Sequence, residues 1–128
     1  MGLESLPVTV TFIALCGLAM MPMTGWIGTY RGARGILRGD GGDPVLFKRS
    51  RAHGNFIETA PLTALALLAA ESLGLGQGWL WLGVASFVLG RIAHWVLYDQ
   101  KTRGIAMTFV TGPAFLMSIY CLVRIWSA

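Results

Sequence analysis

A chain of 128 residues has the length of one domain, but its composition is not that of a soluble one. Hydrophobic residues make up 55% and charged residues 12%, against about 25% charged in ordinary globular domains. The formal charge of +4 comes from short basic stretches, not from a long basic face with interleaved aromatics, which argues against a nucleic-acid partner.

Between those stretches lie four long apolar segments, the signature of an all-α integral membrane protein. The first span covers residues 6–30. It is preceded by Glu4 with no basic stretch, and no small-residue cleavage site follows, so it reads as a retained helix and not a signal peptide. Pro22 predicts a kink, and Trp26 and Tyr30 fall where an interfacial aromatic belt is expected. A glycine-rich, basic loop (residues 31–47) follows, containing Gly39-Asp40-Gly41-Gly42-Asp43-Pro44. With no strand before it and no Gly-Lys-Ser/Thr after it, this is a flexible turn and not a phosphate loop.

The second span runs over 51–73, broken mildly at Pro61, and a short loop (74–78) leads to the third, 79–100. A turn around Lys101-Thr102-Arg103-Gly104 opens the fourth, 105–126, where Pro113 predicts another kink. Ser86 and Gly90, one helical turn apart, offer a surface on which a neighbouring helix can approach closely. Cys16 and Cys121 lie inside apolar segments and read as small buried thiols.

The charges predict an orientation. Arg31, Arg34, Arg38, Lys48, Arg49 and Arg51 flank the first loop, and Lys101 and Arg103 lie in the third, whereas the second loop carries no cation. The positive-inside bias puts loops one and three in the cytoplasm and both termini outside, with Trp79, Trp81 and Trp126 at the outer interface.

Two polar faces interrupt the apolar spans. In the stretch 48–61, Arg51, Asn55 and Glu58 fall within about 60° of one another on a helix. A charge near the bilayer centre costs roughly 2.5–3.5 kcal/mol on insertion scales, so Glu58 should face protein, ligand or water. It either clamps helices by neutralising an arginine or belongs to a binding face. In the third span, Arg91, His94 and Tyr98 share a second face, with donors suited to carboxylates and to a developing anion. His53 is the other histidine, and no Cys or carboxylate cluster completes a metal set, so no metal site is predicted. Opposed, the two faces suit a small zwitterion, its ammonium on Glu58 and its carboxylates on the arginines.

The run Arg51-Ala52-His53-Gly54-Asn55-Phe56-Ile57-Glu58-Thr59-Ala60-Pro61 closely resembles the second-helix signature of the MAPEG family, membrane-associated proteins of eicosanoid and glutathione metabolism. Gly90-Arg91-Ile92-Ala93-His94-Trp95-Val96-Leu97-Tyr98 resembles the third-helix motif of its prostaglandin E synthase branch, and the basic, glycine-rich first loop looks like the bacterial branch. The resemblance covers nearly the whole chain. It implies a four-helix bundle in a bacterial inner membrane, assembled as a homotrimer, with glutathione held between neighbouring subunits near the cytoplasmic side. By position, Arg51, Asn55, Glu58, His94 and Tyr98 match residues that hold the tripeptide, and Arg91, on the same face as His94 and Tyr98, is counted with them as a binding residue. Lys48 stands where arginine is frequent, Arg31 or Arg34 matches a basic residue ending helix one, and Arg103 matches one before helix four.

The eicosanoid enzymes place an arginine near the glutathione thiol at the start of helix four, where this chain has Met107, and Gly54 stands at another position that is often arginine. A thiol of pKa near ~8.5 is mostly protonated at pH 7, so the missing cation matters. Thr108 can offer a hydrogen bond, and Arg31 or Arg34 of an adjacent subunit a charge. These three are the expected catalytic residues. The function expected is a glutathione-dependent transferase or peroxidase acting on a lipophilic electrophile or hydroperoxide from the bilayer. The alternatives are a trimer that binds glutathione or another small anion without turnover, or a purely structural membrane bundle.

Overall fold

The computed structural model describes residues 2–127. After a single 3-10 turn at Leu3–Ser5 come four helices: α1 (Pro7–Arg34), α2 (Pro44–Ser72), α3 (Gln77–Val96) and α4 (Arg103–Trp126). The chain is an all-α membrane four-helix bundle. Its helices alternate in direction, so the ends of α1 and α3 and the starts of α2 and α4 meet at one end.

The helix limits differ from the expected spans for reasons of capping. α1 continues to Arg34 because Gly35, at φ 67°, adopts the left-handed conformation that terminates a helix, its N–H bonding to the carbonyls of Arg31 and Gly32. α2 begins at Pro44, well before residue 51. Asp43 is its N-cap, accepting from the N–H groups of Val45 and Leu46 at 2.9 and 3.0 Å, and Pro44 sits where its missing N–H costs nothing. The Tyr30 hydroxyl donates to the same carboxylate at 2.9 Å, tying the end of α1 to the start of α2. The Leu46 N–H above all, then Tyr30, holds the Asp43 carboxyl below its usual range. What the cap adds to stability is therefore present above the ordinary carboxylate pKa and fades as pH falls through the lowered value. α3 ends at Val96, and Tyr98 lies in the following turn, whose carbonyl accepts from Arg103 Nη1 at 3.1 Å. The helices run unbroken through Pro22, Pro61 and Pro113.

α1, α3 and α4 are long and apolar enough to cross a membrane; α2 is not, because Lys48, Arg49, Arg51, His53 and Glu58 dilute its first half. α2 nevertheless packs against all three others. The core is apolar and fully buried at Val8, Leu67, Leu80 and Val110, with Phe12 set edge-on against Phe87 at 5.1 Å between ring centres. Large apolar residues such as Leu18, Met21, Leu62 and Leu116 remain exposed on the outside of the chain.

At the far end of the bundle the Glu71 carboxylate of α2 accepts from the N–H groups of Val8 and Thr9, at 3.1 and 2.8 Å. These are donors that the first turn of any helix leaves unpaired, and their partial positive charge favours an anion. Glu71→Ala strands both donors in a half-buried site. It is expected to cost about 1–3 kcal/mol of stability, read by thermal unfolding in detergent, whereas Glu71→Gln should cost less because its amide oxygen still accepts from one of the two N–H groups.

Candidate functional site

The spacing of Arg51, Asn55 and Glu58 on α2 becomes a continuous polar line. Arg51 Nη2 donates to Asn55 Oδ1 at 3.0 Å and lies 3.8 Å from Glu58 Oε1. An added Cβ at Gly54 would sit 3.4 Å from Arg51 Nη1, an ordinary contact. The arginine and glutamate side chains are 46% and 61% exposed. The ion pair thus lies along one helix on its outer face and joins no two helices of the chain.

The second set of predicted residues is more divided. Arg91, half-buried, donates from Nη2 to the Ala52 carbonyl of α2 at 2.6 Å, and its Nη1 lies 3.9 Å from Met107 Sδ. It ties α3 to α2 and also places a cation beside the very methionine that stands at the expected arginine position. His94 is buried, its ring set edge-on to Tyr98 at 5.8 Å, and its Nδ1 has no hydrogen-bond partner among the described residues. Around Tyr98 gather Lys48, 5.5 Å from the ring centre, and Arg103, 5.1 Å from it. Lys48 also stacks on Trp95 at 4.4 Å and pairs with Asp99 at 3.6 Å.

Lys48, His94, Tyr98 and Arg103 therefore form one group at the cation-rich end. Among the described residues no hydrogen bond or ion pair links that group to the Arg51–Asn55–Glu58 line. Arg31 is engaged in the first loop, donating to the carbonyls of Gly39 at 2.7 Å and Ile36 at 3.4 Å, and Arg34 lies over Tyr30 at 5.3 Å. The Thr108 hydroxyl donates to the Gly104 carbonyl of its own helix at 3.3 Å and borders a groove of about 840 Å³ between α3 and α4. A second cavity, about 480 Å³ and almost wholly apolar, lies between α1, α2 and α3.

The sequence reading gave Arg49 no role beyond topology. In the fold it reaches across to α1, donating from Nη1 to the Trp26 carbonyl at 2.9 Å and lying 4.6 and 4.7 Å from the ring centres of Trp26 and Tyr30. Trp26 and Tyr30 at helical spacing, followed by an arginine at the start of the next helix, were the available signal.

The family model described as MAPEG family matches residues 9–123. Nothing matches among the curated proteins or the solved structures.

Proposed function

The chain belongs to the MAPEG family, and from that premise we propose that it is a glutathione-dependent transferase or peroxidase acting on a lipophilic electrophile or hydroperoxide that arrives through the bilayer. The observation that carries this reading is the exposed Arg51–Asn55–Glu58 line on α2. A charged line halfway along a membrane helix is costly against acyl chains and needs a polar occupant or a protein neighbour. Three helices are apolar enough to face lipid and α2 is not, which supports a homotrimer with α2 towards the interior. Glutathione fits the donor set: its ammonium matches Glu58, and its carboxylates match Arg51 on one copy and the Lys48–Arg103 group on the next. The cation-rich end would face the cytoplasm, as in an inner-membrane protein of bacteria.

Glutathione bound there would supply a thiol whose thiolate can add to an electrophile as a thioether, or, together with a second glutathione, reduce a hydroperoxide to the alcohol and water while the two thiols become a disulfide. The residues of this chain hold and orient it, and their cations favour the ionised sulfur. Arg91, beside Met107, is the cation already near the thiol position. Thr108 can donate there once its bond to Gly104 is released, and Arg31 or Arg34 would have to come from the adjacent copy.

Binding without turnover is the second reading, and Met107 in place of a cation is what favours it. Thermal unfolding of the detergent-purified protein with and without millimolar glutathione, beside an ultraviolet scan for thiolate, tests both. An upward shift with a thiolate band is expected; a shift without the band supports binding alone, and no shift overturns the glutathione reading. Met107→Arg should raise the thiolate fraction at pH 7 by up to about tenfold if it lowers the thiol pKa by one unit, with a matching rise in conjugation rate. An unchanged rate at saturating glutathione would show that Arg91 already supplies the charge.

A further inference from the structure

Arg49 stands at the mouth of the cavity between α1, α2 and α3. On α2 it shares one stripe with Ala52 and Phe56, which form that cavity's wall, and the Trp26 ring beneath its guanidinium lines the same space. Trp26 meets Trp95 of α3 edge-on at 4.8 Å, so two indoles from different helices frame the opening. Below them the lining is apolar down to Phe12, and Arg91 is its one charged member.

The charge at the mouth is unbalanced. Among the described residues no carboxylate lies within ion-pair distance of Arg49, and its Nε is buried with no hydrogen-bond partner. A buried guanidinium donor of this kind is expensive unless an acceptor reaches it. Tryptophan and tyrosine at this level mark the headgroup region of a bilayer, and a volume of about 480 Å³ is within the range of ligand sites. A cation at headgroup depth above an apolar slot matches one chemistry, an anionic headgroup carrying an acyl chain. A free polar anion would leave the slot unfilled, and a zwitterionic lipid would set its own cation against Arg49.

We propose that Arg49, held over the Trp26 and Tyr30 rings, seats the phosphate of an anionic phospholipid and that the cavity between α1, α2 and α3 takes one of its acyl chains. This site lies on the α1 side of α2 and does not use the Arg51–Asn55–Glu58 line; it shares with the proposed glutathione site only Arg91, at the edge of its slot, so the glutathione-induced shift is followed beside lipid retention to tell the two apart.

The test uses the full chain in detergent, with dioleoyl phosphatidylglycerol and dioleoyl phosphatidylcholine as competing probes, counted on the protein by native mass spectrometry and checked by thermal unfolding. Wild type should prefer the glycerol lipid about fivefold, the weight of one headgroup-level cation. Arg49→Gln should remove that preference, and Arg49→Lys should keep most of it. Ala19→Phe, which fills the slot from α1, should reduce uptake of both lipids. The glutathione-induced shift should persist in Arg49→Gln. Equal retention of the two lipids by wild type overturns the proposal, and that arm needs no variant to fold. Retained preference in Arg49→Gln, or undiminished uptake in Ala19→Phe, overturns it as well.

Discussion

Glu58→Gln abolishes the rise in unfolding temperature that glutathione gives the wild-type protein, while the ligand-free variant stays within about 1 kcal/mol of wild type. Both halves follow from where the carboxylate is. Glu58 pairs with Arg51 on its own helix at 3.8 Å, and both side chains are largely exposed in the chain. Such pairs contribute little, and this one joins no second helix. A helix clamp would instead require the substitution to lower ligand-free stability. In a ligand site the same carboxylate would be desolvated by the bound ammonium, and removing one member of a desolvated charge pair costs about 2–5 kcal/mol, or roughly thirtyfold to several thousandfold in affinity. Glutamine keeps the shape and leaves the Arg51–Asn55 hydrogen bond in place, so the charge alone is tested. The measurement is a glutathione titration followed by thermal unfolding. An unaltered shift in the variant would remove Glu58 from the site, and a steep loss of ligand-free stability would restore the clamp.

The helices and the polar line were legible because both are local patterns. Apolar runs of about 20 residues identify spans whatever their neighbours, and the spacing of Arg51, Asn55 and Glu58 gives one face on any helix. The helix limits were less so. Polar residues extend a helix beyond its apolar run when a cap supports it, and the cap on α2 depends on Asp43 together with Tyr30 from the preceding helix. Glu71 was passed over because its partners, the N–H groups of Val8 and Thr9, are more than sixty residues away, and nothing in the sequence near a glutamate announces a distant helix start. Arg91 was read as a ligand donor only. The short bond to the Ala52 carbonyl shows that one of its amines is spent on holding α3 to α2, a role no spacing rule can assign. Lys48 and Arg103 converge on Tyr98 from different helices, a grouping that side-chain identity suggests only once the antiparallel order of the helices is known.

Two glycines of α3 differ in what a side chain there would meet. On α3, Gly90 faces α4 so closely that an added Cβ would lie 2.9 Å from the Val110 backbone nitrogen and 3.1 Å from the Ala106 carbonyl oxygen. One turn earlier, Ser86 Oγ donates to the Phe109 carbonyl at 2.7 Å, so small residues and a hydrogen bond together set the distance between α3 and α4. A Cβ at Gly83 would also collide, but with the terminal methyl of Met117 and not with backbone. Replacing glycine by alanine inside a helix gains up to about 1 kcal/mol from backbone preference. At Gly83 the methionine has three rotatable bonds with which to move aside, and Gly83→Ala should be neutral or stabilising. At Gly90 the obstacle is α4 itself. Relief there means pushing the two helices apart, stretching the Ser86 bond and loosening the packing of the buried Val110, and overpacking of this kind costs about 1–3 kcal/mol. Gly90→Ala should therefore unfold at a lower temperature than wild type, and Gly90→Val lower still, with Gly83→Ala beside them as the control. If Gly90→Ala proves as stable as Gly83→Ala, the α3–α4 spacing is not set by the absence of that side chain.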